Sequence, residues 1–188
     1  NTDRLLDPIK GQVLTASVTP FTEINSPLKF LSNKITLGYF SPLTRNHMFT
    51  FSGRTTMASI SGASRFDIPA PQRLYAGSEK SLRGYGYQTV SPLDAQGKPI
   101  GGRSMLVLGT EVNAYLNKNL STALFYEFGQ VFEETLPRFD KTLLQSWGVG
   151  VHYHSILGAI KLDIAFPVNK RPNLDHSYQI YLSIGPNF

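Results

Sequence analysis

The strongest constraint on how this chain can fold is an alternation of apolar and polar residues with a period of two, repeated along eight separate segments, none of which carries a helical stripe. Successive side chains of a strand point to opposite faces, so each segment reads as a strand with one greasy side. Gly11 to Phe21 sets Leu14, Ala16 and Val18 against Thr15, Ser17 and Thr19. Phe30 to Phe40 sets Leu31, Ile35, Leu37 and Tyr39 against Ser32, Lys34, Thr36 and Gly38, and Met48 to Ile60 sets Phe49, Phe51 and Met57 against Thr50, Ser52, Arg54 and Thr56. Arg103 to Leu116 opposes Leu106, Leu108, Val112 and Ala114 to Gly109, Glu111 and Asn113. Leu120 to Phe132 opposes Leu124, Tyr126, Phe128 and Phe132 to Ala123, Glu127 and Gly129. Leu144 to His154 opposes Trp147, Val149, Val151 and Tyr153 to Gly148, Gly150, His152 and His154. Ala159 to Pro167 opposes Ile160, Leu162, Ile164 and Phe166 to Lys161, Asp163 and Ala165. The last segment, Tyr178 to Phe188, opposes Tyr178, Ile180, Leu182, Ile184 and Phe188 to Gln179, Tyr181, Ser183 and Gly185. Several of these strands exceed the roughly 5–6 residues common in soluble sheets.

Alternation alone does not say which face is inside. A soluble sandwich or lipocalin-like barrel turns its apolar faces inward, and a membrane barrel turns them to lipid. Two features favour the membrane, the placing of aromatic residues and the character of the opposite faces, while charge content and hydropathy leave a membrane barrel open. Only 16% of residues are charged, while no run approaches the roughly 18 apolar residues of a spanning helix. Mean hydropathy is -0.14, near neutral, as alternating barrel strands leave it. Aromatic residues fall near strand ends (Phe21, Tyr39, Tyr115, Phe132, Tyr153, Tyr178, Phe188), as an interfacial girdle requires, and the opposite faces are rich in Gly, Ser, Thr and charge, as a wet lumen requires. Connections also alternate in length: Asn117 to Asn119 and His154 to Gly158 are short, whereas Thr22 to Lys29, Glu133 to Lys141 and Asn169 to Ser177 are long. Short turns on one rim and long loops on the other fit an outer-membrane barrel.

One connection stands apart. Ser61 to Gly102 holds no sustained strand or helix pattern, and loops beyond about 12–15 residues are usually functional or disordered. Leu74, Tyr75, Leu82, Tyr85 and Tyr87 argue against disorder, because disordered segments are poor in aromatic residues. At its centre, Leu82-Arg83-Gly84-Tyr85 places a planar guanidinium beside a residue free to turn tightly, a combination suited to meeting a carboxylate.

Arg73-Leu74-Tyr75-Ala76-Gly77, Leu82-Arg83-Gly84-Tyr85 and Gly101-Gly102-Arg103 leading to Glu111 resemble the conserved loop of the BamA/TamA superfamily, which also includes two-partner-secretion transporters. The resemblance continues through Phe125-Tyr126-Glu127-Phe128-Gly129, Gly148-Val149-Gly150-Val151, Leu162 to Pro167 and the terminal strand, and its seventh strand looks most like the TamA branch. It implies an all-β, antiparallel transmembrane β-barrel in which these eight strands correspond to the C-terminal half of a sixteen-stranded barrel. Residues 1–188 are then one barrel region, with loop 61–102, between the third and fourth strands, folded toward the lumen. The resemblance further implies a latch formed by Arg83, Gly84 and Tyr85 with Glu111 and Glu127 on the barrel wall. Strand parity agrees, since both acids lie on polar faces. The family usually has Asp at the position of Glu127, so a looser pairing, shifted toward Glu111, is expected.

The terminal strand ending in Phe188 looks like an outer-membrane C-terminal signal, and with Tyr178, Ile180, Leu182, Ile184 and Gly185 it is the expected lateral seam, an open edge that recruits other strands. The family implies an outer-membrane factor that inserts or translocates proteins, not an enzyme. Its partners are outer-membrane lipids, unfolded outer-membrane or secreted clients, and either an N-terminal barrel half with periplasmic domains or a second copy. The alternatives are the pore of a two-partner-secretion or patatin-type autotransporter, and a structural eight-stranded barrel without a client. No cofactor, metal or nucleic acid is expected. Cysteine is absent, and the net charge of +5 is scattered over loops rather than gathered into a stripe. Gly84 to Tyr87 neither follows a strand nor opens a helix as a phosphate loop does, and no nucleophile elbow appears. His152 and His154, one strand face apart at i and i+2 with Asp163 on the next strand, fit lumen-facing polar residues better than a metal site. The opening Asn1-Thr2-Asp3-Arg4 has no signal-peptide pattern and reads as a mature or excised piece.

Overall fold

The computed structural model describes residues 2–3, 8–24, 27–138, 142–155 and 158–185. Eight strands form one antiparallel sheet in chain order: β1 (Gly11–Thr22), β2 (Lys29–Pro42), β3 (Phe49–Ser61), β4 (Ser104–Tyr115), β5 (Leu120–Phe132), β6 (Leu144–Ser155), β7 (Gly158–Pro167) and β8 (Gln179–Gly185). Each alternating segment becomes a strand to within one or two residues. The exception is the last, where residues 186–188 lie outside the described part, so the reading of Phe188 as a terminal signal does too.

The sheet is inside-out by the standard of a soluble protein. Leu14, Leu182 and Ile184 are 68%, 72% and 76% exposed, while Glu127 and His152 on the opposite face are 1% exposed. Burying charge while exposing a continuous band of Leu, Ile and Val is the wrong way round for water and the right way round for lipid. Among the described residues β1 and β8 pair with β2 and β7 alone, so the sheet is open, and a closed eight-stranded barrel is not what forms. Segment 62–103 lies across the inward face of the sheet.

That segment brings its own core. Ala76, Leu82, Tyr85 and Val90 pack on Ala58 of β3, Met105 and Val107 of β4, Val131 of β5 and Leu144 of β6. Ile68 packs on Phe30 and Ile60, with Phe21 and Leu74 against them. Beneath the segment the inward face is partly apolar, at this core, and partly polar, at Glu127, Ser146 and Asp163. Bridges Leu74↔Gly102, Ala76↔Val90 and Leu93↔Pro99 order the segment internally. Arg73 ties its two ends by donating from Nε to the Ile68 carbonyl (2.8 Å) and from Nη1 to the Ile100 carbonyl (2.9 Å).

The aromatic girdle needs correction. Tyr39, Tyr153 and Tyr178 are about half exposed on the apolar side, as expected. Phe21 instead stacks on Phe30 at 4.6 Å, Phe132 is fully buried, and the Tyr115 ring lies 5.0 Å from the buried His154. Phe21 serves the core beneath the covering segment, and Phe132 and Tyr115 stand at strand ends where they are withdrawn from the exposed apolar band.

Candidate functional site: a loop arginine among buried carboxylates

Two residues in the left-handed region bracket Arg83: Leu82 at φ 60° and Gly84 at φ 97°. This conformation is uncommon for leucine and is held by full burial of its side chain in the segment's core. Gly84 has a second reason to lack a side chain. A Cβ there would stand 3.0 Å from Ser146 Cβ and 3.3 Å from the Phe166 backbone, so the loop presses directly on β6 and β7. Between them Arg83, 7% exposed, is driven into the polar face.

Its contacts span three strands. Glu127 of β5 accepts the Arg83 backbone N–H on Oε2 (2.7 Å) and Nε on Oε1 (2.8 Å), and Oε1 also forms an ion pair with Nη2 at 2.7 Å. Asp163 of β7 accepts Nη1 at 2.8 Å, and Glu111 of β4 accepts Nη2 at 3.1 Å. The guanidinium carbon lies 3.5 Å from the centre of the Phe125 ring, a cation–π stack. Burial opposes the charge, but Glu127, Glu111 and Asp163 more than offset it, so the arginine's pKa lies above its ordinary value.

Glycines on the wall make this possible. Gly109 faces Glu127 across the β4–β5 ladder, and a Cβ there would sit 3.3 Å from Glu127 Cγ. Gly148 faces Phe125 and Gly150 faces Asp163, and a Cβ at either would collide with that partner's side chain. Each of these three partners of Arg83 thus lies over a gap cut in the neighbouring strand.

The expectation that Glu127 pairs loosely and cedes the arginine to Glu111 is overturned. The extra methylene lets one carboxylate reach both the side chain and the backbone N–H of Arg83, and Gly109 leaves room for it. Asp163 was not anticipated as an arginine partner. Its signal was present as the only acid of β7, at an inward-facing position. Asp163 Oδ1 also contacts His152 Nε2 at 2.9 Å, while His154 Nε2 contacts Ser121 Oγ at 2.7 Å, so the two histidines serve separate hydrogen bonds. Among the described residues no cluster of three or more His, Cys, Asp or Glu is arranged to hold a metal.

Gly84 and Tyr85 extend the contacts to the last strand. The Gly84 N–H donates to Tyr181 Oη of β8 at 2.9 Å, and that hydroxyl donates to the Tyr85 carbonyl at 3.1 Å. The single hydroxyl proton of Tyr85 is shared between the Gln145 carbonyl (2.8 Å) and Asn169 Oδ1 (2.9 Å). Burial pushes the Tyr85 hydroxyl up to about 12, above its ordinary 10.0. Arg171 lies 5.4 Å from the Tyr85 ring centre and clamps Asp175 through Nε (2.8 Å) and Nη2 (2.7 Å), while Nη1 donates to the Thr89 carbonyl (2.9 Å). The β7–β8 loop is thereby bound to the long segment.

The described residues of the expected seam lie on or beside β8, away from the arginine motif. Ile180, Leu182 and Ile184 point to the exposed apolar side of β8, Tyr178 just precedes the strand, and Gly185 ends it opposite Ala159. Among the described residues Tyr181, which sequence reasoning passed over, joins this strand to the arginine motif.

The profile of the Omp85 superfamily domain matches residues 1–188. Outer membrane protein assembly factor BamA of Nitratidesulfovibrio vulgaris is 26% identical over 193 residues, a match that covers 100% of this chain and 24% of that protein. The crystal structure of BamA from Haemophilus ducreyi lacking POTRA domains 1-3 superposes with a TM-score of 0.76 at 20% identity, over 96% of this chain and 39% of that one. The chain therefore spans about a quarter of the length of the curated relative, and its open sheet matches half of a BamA barrel. Both named relatives are BamA proteins, although the seventh strand suggested the TamA branch. Matched from end to end and turned inside-out for lipid, this chain belongs to the Omp85 superfamily of outer-membrane β-barrel proteins.

Proposed function

We propose that the chain is the C-terminal half of the barrel of an outer-membrane protein assembly or translocation factor, whose loop is latched inside by Arg83 and whose client strands pair at the edge of β8. The observation that carries this reading is that β8, an edge strand of the sheet, is braced from within by the arginine motif. A free edge in lipid has unsatisfied backbone groups, and an incoming strand satisfies them by β-augmentation. Lipid leaves the β1 edge equally unsatisfied. Further strands of the same barrel, or a second copy, meet that need.

The latch supplies position more than stability, because desolvation offsets much of the attraction in a buried ion cluster. The test is complementation of a depletion strain with the full-length gene, read as folded outer-membrane proteins in the envelope. Arg83→Glu alone lowers their level, and Glu127→Arg in the same chain restores part of it. Normal levels with Arg83→Glu in a stably inserted barrel refute the latch.

A translocation pore is the second reading, favoured by one observation. Thr15, Ser17 and Thr19 of β1 and Lys34 of β2 face the polar side yet stay exposed, leaving a hydrophilic track that the long segment does not cover. Single-channel conductance that falls with bulky substitutions at Ser17 supports it, and a silent barrel opposes it.

A further inference from the structure

We propose that Tyr181 is the positioning residue through which the arginine motif controls how firmly β8 is held. The inference rests on the reading of β8 as the seam strand and adds the element that regulates it.

The geometry is specific. Along the β8 ladder Tyr181 sits directly opposite Asp163, the carboxylate that accepts Arg83 Nη1. The Tyr181 hydroxyl accepts from the Gly84 N–H and donates to the Tyr85 carbonyl, so one side-chain oxygen bridges backbone groups of two consecutive residues of the loop motif. Those peptides are otherwise buried, since Gly84 presses on Ser146 and Tyr85 is 1% exposed. If Tyr181 leaves, a buried N–H loses its acceptor, which costs more than the bond alone contributes. Among the described residues no other side-chain hydrogen bond joins β8 to the loop motif, and the strand is otherwise attached through its backbone ladder to β7.

Two linked consequences follow. Swinging β8 outward breaks both Tyr181 bonds, and lifting the loop removes the partners that keep β8 inward. Loop docking and seam closure are then one coupled equilibrium, and the coupling is reciprocal. Tyr181 stands on the inward face while Ile180 and Leu182 on either side face lipid, so the clip works from the lumen and leaves the outer edge of β8 free for a client.

The experiment uses the full-length protein in outer-membrane vesicles, with hydrogen exchange read strand by strand and a photo-reactive residue at Leu182 reporting client contact. Tyr181→Phe keeps the ring and removes only the hydroxyl. It is expected to accelerate exchange of the β8 amides paired to β7 by about tenfold, the worth of one to two hydrogen bonds, with β5 and β6 unchanged. Arg83→Ala is expected to accelerate the same amides, and the double variant to exceed the stronger single one by less than the product of the two effects. Unchanged β8 exchange, acceleration spread evenly over all strands, or fully multiplicative effects overturn the clip. A β8-specific, non-multiplicative change with no client crosslink at Leu182 in any variant supports the clip and refutes the seam reading on which it rests. Substituting Tyr87→Phe, an exposed tyrosine of the same segment, leaves exchange unaltered if the effect belongs to Tyr181.

Discussion

Arg83→Ala is the perturbation whose size the structure fixes best. The side chain makes four charge-assisted contacts between 2.7 and 3.1 Å with Glu127, Asp163 and Glu111, and stacks on Phe125. Truncation leaves Glu127 and Asp163, 1% and 3% exposed, without their main counter-ion, and Arg54 Nη2 at 3.9 Å from Glu127 is a poor substitute. Removing one partner of a buried ion pair typically costs about 3–5 kcal/mol, most of it the penalty on the charges left behind. The loss falls on docking of the loop, since the strand ladders do not depend on Arg83. Ser146 is a suitable reporter: it is fully buried beneath Gly84, and its hydroxyl has no hydrogen-bond partner to lose. Because the chain has no cysteine, Ser146→Cys introduces a single thiol. Its maleimide labelling is expected to rise on Arg83→Ala by roughly two to three and a half powers of ten, at about 1.4 kcal/mol per decade. Arg83→Lys recovers part of the protection, since an ammonium keeps the charge without the planar fork. Labelling that rises less than about threefold means the loop is held by its apolar core alone and refutes the latch as the main restraint.

Three further outcomes are expected. Gly84→Ala forces an L residue to φ 97° and a Cβ against Ser146, so loop docking weakens by about 1–3 kcal/mol, read with the same thiol on β6 replaced by one at Ser91. Gly150→Ala drives a methyl into Asp163 Oδ1 and should reproduce the labelling phenotype of Asp163→Asn, whereas Gly97→Ala, where a Cβ meets open space, costs only its φ of 77°. The Tyr85 hydroxyl is raised to about 12 from 10.0, so the folded state holds this proton more tightly than the unfolded one. Its contribution is complete below pH 10 and fades as pH rises to about 12; thiol labelling should show a loosening of the loop in that window which Tyr85→Phe removes.

Strand existence, length and facing were legible because a barrel wall obeys one rule, the period of two, over most of the chain, and the only ambiguity is which face meets lipid. Burial resolved that: Leu182 exposed and Glu127 buried admit one orientation. The landing point of Arg83 was legible in part, since Glu111 and Glu127 lie on inward faces. Asp163, Phe125 and Tyr181 were not picked out, because each is on an inward position like many others, and what selects them is register. Glu127 faces Gly109, Phe125 faces Gly148, and Asp163 faces both Gly150 and Tyr181 across its two ladders. Strand pairing depends on turn geometry and twist that a single sequence does not display residue by residue. The misreading of Phe21 has a related cause: parity cannot show that it ends beneath a segment packed from elsewhere in the chain.

The account turns on the edge of β8 as the place where clients pair. The most direct measurement is photo-crosslinking in cells from residues 179 to 184 of the full-length protein, one position at a time, with a slowly folding outer-membrane client arrested during assembly and matched positions on β5 as controls. Pairing by β-augmentation predicts client adducts along β8 in one fixed register, absent from β5 and lost when the client's terminal strand carries a proline at a ladder position. Client adducts no stronger on β8 than on β5, or adducts indifferent to that proline, contradict it.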